Sequence, residues 1–246
     1  MKINPEILNY LKGESFKSNL TIDLDRIKHD VITRETAITG IITGKDVIHI
    51  GCSDHVQVIN EKIRTNTWLH KLITENAGIS IGIDIDKDSI DYLKKELGYH
   101  NVFYGNILKD DFSTITERKW DYAVFGEIIE HLDNPVSFLE VFRNRYRNYV
   151  SKFIITVPNI YCINQYRNMM KFQERINSDH RFWFTPYTIS KILVSAGFIP
   201  EKITYSNLYH LNNYDLIIRK IKRILGINPK YPFYYFSTLI ITGDIT

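Results

Sequence analysis

The chain has 246 residues, 44% of them hydrophobic and 13% aromatic, enough apolar material to bury a full core as a single domain with elaborations. With 31 Lys and Arg against 28 Asp and Glu the formal net charge is only +3, so no global field calls for nucleic acid and any basic surface is local. Cys52 and Cys162 are the only cysteines, which excludes a disulfide scaffold; no Cys or His spacing resembles a zinc site, and no metal is expected.

The N-terminal "MKINPEILNYLKGESF" carries acids and a proline where a signal peptide has an apolar core, and no apolar run reaches the length of a membrane span. A cytoplasmic protein is the expectation. The first 45 residues read as a helical cover at the sheet edge, with a polar strip over "DLDRIKHDVITRET" (23–36). From there short β-branched runs alternate with helix-length amphipathic segments, the pattern of parallel strands with crossover helices. The strands are read at 46–50, 80–85, 101–105, 121–126, 152–157, 198–206 and 236–244. One α/β domain follows, an open, mostly parallel seven-stranded sheet with helices on both faces.

The helices have legible ends. Asp86 or Asp88 can cap "KDSIDYLKKEL", and Asn134 followed by Pro135 opens "VSFLEVFRNRY". Thr185 and Pro186 open "YTISKILVSAG", which Gly197 closes. Two segments stand outside this rhythm. Residues 158–184, rich in Tyr, Asn, Gln and Arg, read as a flap over an acceptor, with Tyr161, Asn164 and Tyr166 offering stacking faces and an amide to a sugar-like ligand. Residues 207–235 form a basic helical insertion before the last strand. There Leu216, Ile217, Ile221, Ile224 and Leu225 share an apolar face beside Arg219, Lys220, Lys222 and Arg223. Such a helix suits peripheral contact with an anionic inner-membrane face through residues 214–225; a homodimer contact or packing on its own domain are the alternatives.

In an open parallel sheet the ligand lies outside the carboxyl ends of the strands, where strand order reverses. After the first strand "HIGCSDHV" supplies Gly51, Cys52, Ser53 and Asp54; after the second, Asp84 and Ile85; after the third, Asn106 and Ile107; after the fourth, Gly126, Glu127, Glu130 and His131. Each also has an ordinary reading: Gly51 as a turn, Asp84 as a helix cap, Asn106 as a turn residue, His131 as a satisfied local histidine. Their common edge and chain order favour a glycine for the cofactor chain, an acid for both ribose hydroxyls, an amide and an aliphatic face for adenine, and a polar catalytic rim. A pyrophosphate needs several glycines at a helix N-terminus, and Cys52, Ser53, Asp54 and His55 would crowd or repel it. An ammonium and a sulfonium suit that loop better.

The stretch from about 45 to 160, "VIHIGCSDH…GIDID…NVFYGNI…WDYAVFGEIIEHLDNP…FIITVPN", resembles the successive motifs of class I S-adenosylmethionine-dependent methyltransferases. Within them it is most similar to the small-molecule and sugar-modifying members of bacterial polysaccharide biosynthesis, and "HRFWFTPYTISKILVSAGF" (180–198) resembles the helix after their acceptor loop. The resemblance implies a Rossmann-like sheet of order 3-2-1-4-5-7-6 with the seventh strand antiparallel. It assigns the Gly51 loop to the methionine part, Asp84 to the ribose, Asn106 and Ile107 to adenine, and Gly126 and Glu127 to the floor beneath the methyl group. Two positions depart from the pattern. His49 stands where the family has an acid in the first strand, and "GCS" replaces its G-x-G.

The implied reaction moves a methyl group from S-adenosylmethionine to a hydroxyl or amine of a small-molecule or glycan acceptor, leaving S-adenosylhomocysteine. A hydroxyl acceptor profits from a general base, and His131 or His180 is the natural candidate. Alternatives are an RNA or protein methyltransferase, a nicotinamide-dependent oxidoreductase, or a catalytically silent nucleotide-binding domain.

Overall fold

The computed structural model describes residues 3–24, 32–209, 213–226 and 231–245. In chain order the elements are α1 (Pro5–Lys12), α2 (Arg34–Ile42), β1 (Asp46–Ile50), α3 (Val56–Arg64), α4 (Leu69–Asn76), β2 (Ile79–Asp84), α5 (Lys87–Lys95), β3 (Val102–Tyr104), α6 (Ser113–Thr116) and β4 (Trp120–Gly126). After them come α7 (Pro135–Tyr146), β5 (Val150–Pro158), α8 (Ile163–Met169), α9 (Pro186–Ser195), β6 (Phe198–Leu208), α10 (Asn213–Ile224) and β7 (Phe236–Ile245).

All seven strands join one sheet in the order β3-β2-β1-β4-β5-β7-β6. Pairs within β1 to β5 are parallel, and β7 runs antiparallel to both β5 and β6. Side chains of a strand alternate between faces, and the core records it. Ile48, Ile50, Ala123, Phe125, Phe153 and Ile155 point into the larger cluster with α7 and α9, while Val47, Val124, Ile154 and Ile240 point to the opposite face against α2 and α4. Burial on both sides is why these strands read as near-continuous apolar runs.

The capping signals act as read. Asp86 Oδ1 accepts from the N–H groups of Asp88 and Ser89, Asn134 Oδ1 from Ser137, and Thr185 Oγ1 from Thr188 within a reciprocal capping box. The N-terminal expectation needs correcting. Only Pro5–Lys12 and Arg34–Ile42 are helical among the described residues of that region, because Gly13 takes a left-handed φ of 81° and ends α1. Residues 25–31 of the polar strip lie outside the described residues. Nor does α2 sit at the sheet edge, since its Ala37, Ile38 and Ile42 cover the central strands. Helix α1 packs on α9, which covers the edge strand β6, and Lys191 Nζ donates to the Tyr10 carbonyl at 2.6 Å.

The long first crossover resolves into two helices, α3 and α4. The flap is tied at both ends, with Asn159 bridging to Phe184 and the Ile160 N–H donating to the Phe184 carbonyl. Of the basic insertion, Asn213–Ile224 forms α10, while residues 210–212 and 227–230 lie outside the described residues; Leu216, Ile217, Ile221, Ile224 and Leu225 are each half exposed or more, so this apolar face does not pack on the sheet. Among the described residues no helix is long and apolar enough to cross a membrane.

Candidate active site

The carboxyl ends of β1, β2, β3 and β4 open into one crevice of about 720 Å³. Gly51, Cys52, Ser53, Asp54, Asp84, Ile85, Asn106, Ile107, Gly126, Glu127, His131 and His180 all line it, so the residues read from four separate turns and from the flap do converge.

What each contributes differs from its sequence reading in instructive ways. Gly51 has φ 69°, and a Cβ there would lie 2.5 Å from Ile128 Cγ2. The missing side chain thus makes room for the turn after β4. The Cys52 side chain is buried with Ile59, Trp68 and Ile90, and burial pushes its thiol well above the usual range. Asp84 is the structural centre of the rim. Its Oδ2 accepts from the Ser53 N–H and its Oδ1 from the Asp86 N–H, both at 3.0 Å, so one carboxylate clamps the β1 and β2 loops and still carries outward lone pairs. Exposed Ile85 and buried Ile107 offer apolar faces beside it. Asn106 spends its Oδ1 on the Leu108 N–H, leaving its amide group for a ligand. Asp54 pairs with Lys62 at 2.6 Å, and His55 makes no side-chain cap on α3.

Arg34 is the residue that sequence reasoning missed. It starts α2, lines the crevice, and its Nη1 meets Glu127 at 2.6 Å while its Nε meets Glu35 at 3.0 Å. Burial works against its charge, but Glu127 and Glu35 hold that charge in place, and its pKa stays above the usual value. The Asn207 Oδ1 accepts the Arg34 N–H and anchors the helix start to the end of β6. No motif marks it. The signal was the Thr33 cap, which starts a helix at Arg34 and so fixes where its side chain points.

His49, the departure in β1, is buried and stacks on His70 of α4, with 3.3 Å between their Nδ1 atoms. One Nδ1 must donate and the other accept, which requires both rings neutral or one charged at most. Burial, then the unfavourable approach of a second imidazole at His70 and of Arg34, pushes His49 well below the usual range, and burial takes His70 down to about 4. Both are therefore neutral in the fold and chargeable when unfolded. As pH falls below about 6.5 the unfolded chain binds protons that the fold refuses, and each such histidine costs about 1.4 kcal/mol of stability per pH unit. For His70 this loss reaches about 3 kcal/mol by pH 4. Urea midpoints between pH 7.5 and 4.5 should fall less steeply for His70→Gln than for the natural chain, and equal slopes would refute the assignment.

At the far end of the crevice the 3-10 turn Ile129–His131 carries Glu130 and His131, and the flap brings in His180. Glu127 enters this turn with φ 58°, a left-handed conformation that a glutamate holds only at a cost. The two rings meet edge to face with centroids 4.6 Å apart. Glu130 is fully buried beneath them, neither of its oxygens meets a donor among the described residues, and burial followed by the charge of Glu127 lifts its carboxyl to about 8. Arg181 latches the two segments, its N–H donating to the Glu130 carbonyl and its Nη1 to the His131 carbonyl. Burial and His131 lower His180 from its usual value.

Tyr161 and Tyr166 do not face this crevice. They line a second, largely apolar cavity of about 1220 Å³ with Trp183, Met169 and Phe233, while Asn164 sits on α8 alongside. The two cavities share a wall, since His180 of the first touches Trp183 of the second with ring centroids 6.2 Å apart.

No protein-family model and no curated protein matches the chain. Solved structures do. A SAM-dependent methyltransferase from Archaeoglobus fulgidus superposes with a TM-score of 0.51 at 19% identity, covering 85% of this chain and 94% of that one. The chain has the class I methyltransferase fold. The methyltransferase domain of bacterial CtHen1 gives a TM-score of 0.50 at 16% identity over 85% of this chain and 94% of its own. Small RNA methyltransferase HEN1 gives 0.53 at 16% identity over 86% of this chain, which spans only 24% of that longer protein. In this methyltransferase fold the crevice at β1 to β4 lies where the strand order reverses, the position a parallel sheet reserves for its ligand.

Proposed function

We propose that the protein transfers a methyl group from S-adenosylmethionine to a hydroxyl or amine of a small-molecule acceptor, a sugar or glycan precursor, and releases S-adenosylhomocysteine. Convergence of four strand-end loops on one crevice carries the proposal, because each loop offers a group that a different part of that cofactor needs. Asp84, clamped by two backbone donors, takes the ribose hydroxyls. Ile85 and Ile107 pack on the adenine and the Asn106 amide reads its edge. Arg34 takes the carboxylate of the methionine part, and Asp54 and Glu127 face its ammonium.

The bound cofactor supplies a methyl group on a positively charged sulfur, already activated for displacement. What remains for the protein is alignment, worth up to roughly 7–11 kcal/mol of the barrier, and activation of the acceptor atom. Glu130, His131 and His180 stand at the acceptor end and carry that second task. The acceptor's body lies in the neighbouring cavity, where Tyr161, Tyr166 and Trp183 present flat faces to a sugar ring.

Calorimetry with S-adenosylmethionine and with NAD separates this proposal from a dinucleotide site. One equivalent of S-adenosylmethionine should bind and NAD should give no heat at the same concentration; NAD binding alone would overturn the assignment.

A further inference from the structure

Glu130, His131 and His180 have a geometry that a general base does not need. One base requires one lone pair facing the acceptor, yet here three donor atoms, one from each residue, lie within 4.8 Å of one another. Neither Glu130 oxygen and not the Nδ1 of His180 meets a hydrogen-bond partner among the described residues, although all are buried. A buried carboxyl group whose two oxygens meet no donor is costly for a fold to hold. Arg34, which lines the same crevice, is engaged by Glu127 and Glu35. Arg181 holds the turn and the flap together through backbone carbonyls on one side and its ion pair with Asp133 on the other, so the three donors are presented without being consumed.

We propose that Glu130, His131 and His180 form a binding site for one divalent first-row transition cation at the acceptor end of the crevice. The three donors lie within 4.8 Å of one another, so an ion at their centre sits at most about 2.8 Å from each, and each side chain closes by at most about 0.7 Å to reach the usual bond of roughly 2.1 Å. Two imidazoles and one carboxylate select manganese, iron, cobalt or zinc over magnesium or calcium, whose sites are built from oxygen. His131 and His180 line the crevice, so the remaining coordination positions face the acceptor.

The role of the site rests on the proposed methyl transfer. An acceptor hydroxyl bound to the cation gives up its proton to solvent, because the cation lowers its pKa as it lowers that of bound water. The oxygen lone pair then forms the O–CH₃ bond while the C–S bond breaks, and its electron pair returns to sulfur, which becomes a neutral thioether. The two histidines serve as ligands in this scheme, and neither carries the proton.

The test uses full-length, tag-free protein stripped with a chelator and titrated with Co²⁺ in the absence of S-adenosylmethionine. Calorimetry should show one equivalent bound, and a visible d–d absorption band should appear with it. His180→Ala and Glu130→Gln should each weaken Co²⁺ binding by at least tenfold and alter the band, with thermal unfolding by circular dichroism showing that both variants fold. Glu130→Gln keeps the shape of the side chain, so its loss of affinity reports the charge. Absence of stoichiometric binding to the natural chain, or binding that both variants retain, overturns the cation site. Because this titration contains no S-adenosylmethionine, its failure is distinct from failure of the methyltransferase proposal, which the cofactor calorimetry decides.

Discussion

Asp84→Ala is expected to weaken S-adenosylmethionine binding by about two to four orders of magnitude. Two hydrogen bonds from ribose hydroxyls to a charged carboxylate are worth about 1.5–3 kcal/mol each, and both disappear. A second effect adds to the first. The Ser53 and Asp86 N–H groups lose the acceptor that fixes them at 3.0 Å, so the β1 and β2 loops are no longer held in register around the ligand. Asp84→Asn keeps one oxygen and the volume, and its loss should be intermediate. Calorimetric Kd values for cofactor and for S-adenosylhomocysteine decide the matter. A Kd for Asp84→Ala within about threefold of the natural chain would show that the ribose is held elsewhere.

Gly51→Ala is expected to destabilise the fold by about 2–4 kcal/mol through two separable causes. A φ of 69° costs an alanine about 1 kcal/mol. The new methyl also lands 2.5 Å from Ile128 Cγ2, and Ile128 lies in the turn that positions Glu127 and Glu130. The double variant Gly51→Ala, Ile128→Ala removes the clash and keeps the backbone strain, so the Gly51→Ala step should cost markedly less in an Ile128→Ala background. Urea denaturation of the four proteins of this cycle measures the coupling. Strict additivity would mean that the two loops do not press on each other.

Much of this fold was legible because its signals are local. Alternating apolar runs with cap residues at their ends specify where strands and helices lie, and Asp86, Asn134 and Thr185 act as read. The error in the first 45 residues has the same origin. A polar strip suggested one helical cover, but Gly13 ends α1, and burial of Ala37, Ile38 and Ile42 placed α2 over the centre of the sheet, not at its edge. At the site, strand-end residues were found because the parallel topology puts all such ends on one side. Arg34 was not found, since its position depends on how α2 docks.

The sequence by itself determined the open α/β sheet, its strand order through resemblance, and the list of groups at its carboxyl edge, because a strand's periodicity and a turn's chemistry act within a few residues. Tertiary structure alone decided which of those groups meet. His180 lies 49 positions beyond His131, so no spacing rule joins it to the adjacent Glu130 and His131; they come together through Arg181, which binds the flap to the turn after β4. Tyr161 and Tyr166, near His180 in the chain, were instead turned into a separate cavity by α8. The apolar row of α10 stayed exposed because the sheet face was already covered. In each case contacts between residues far apart in the chain settled what local propensity leaves open.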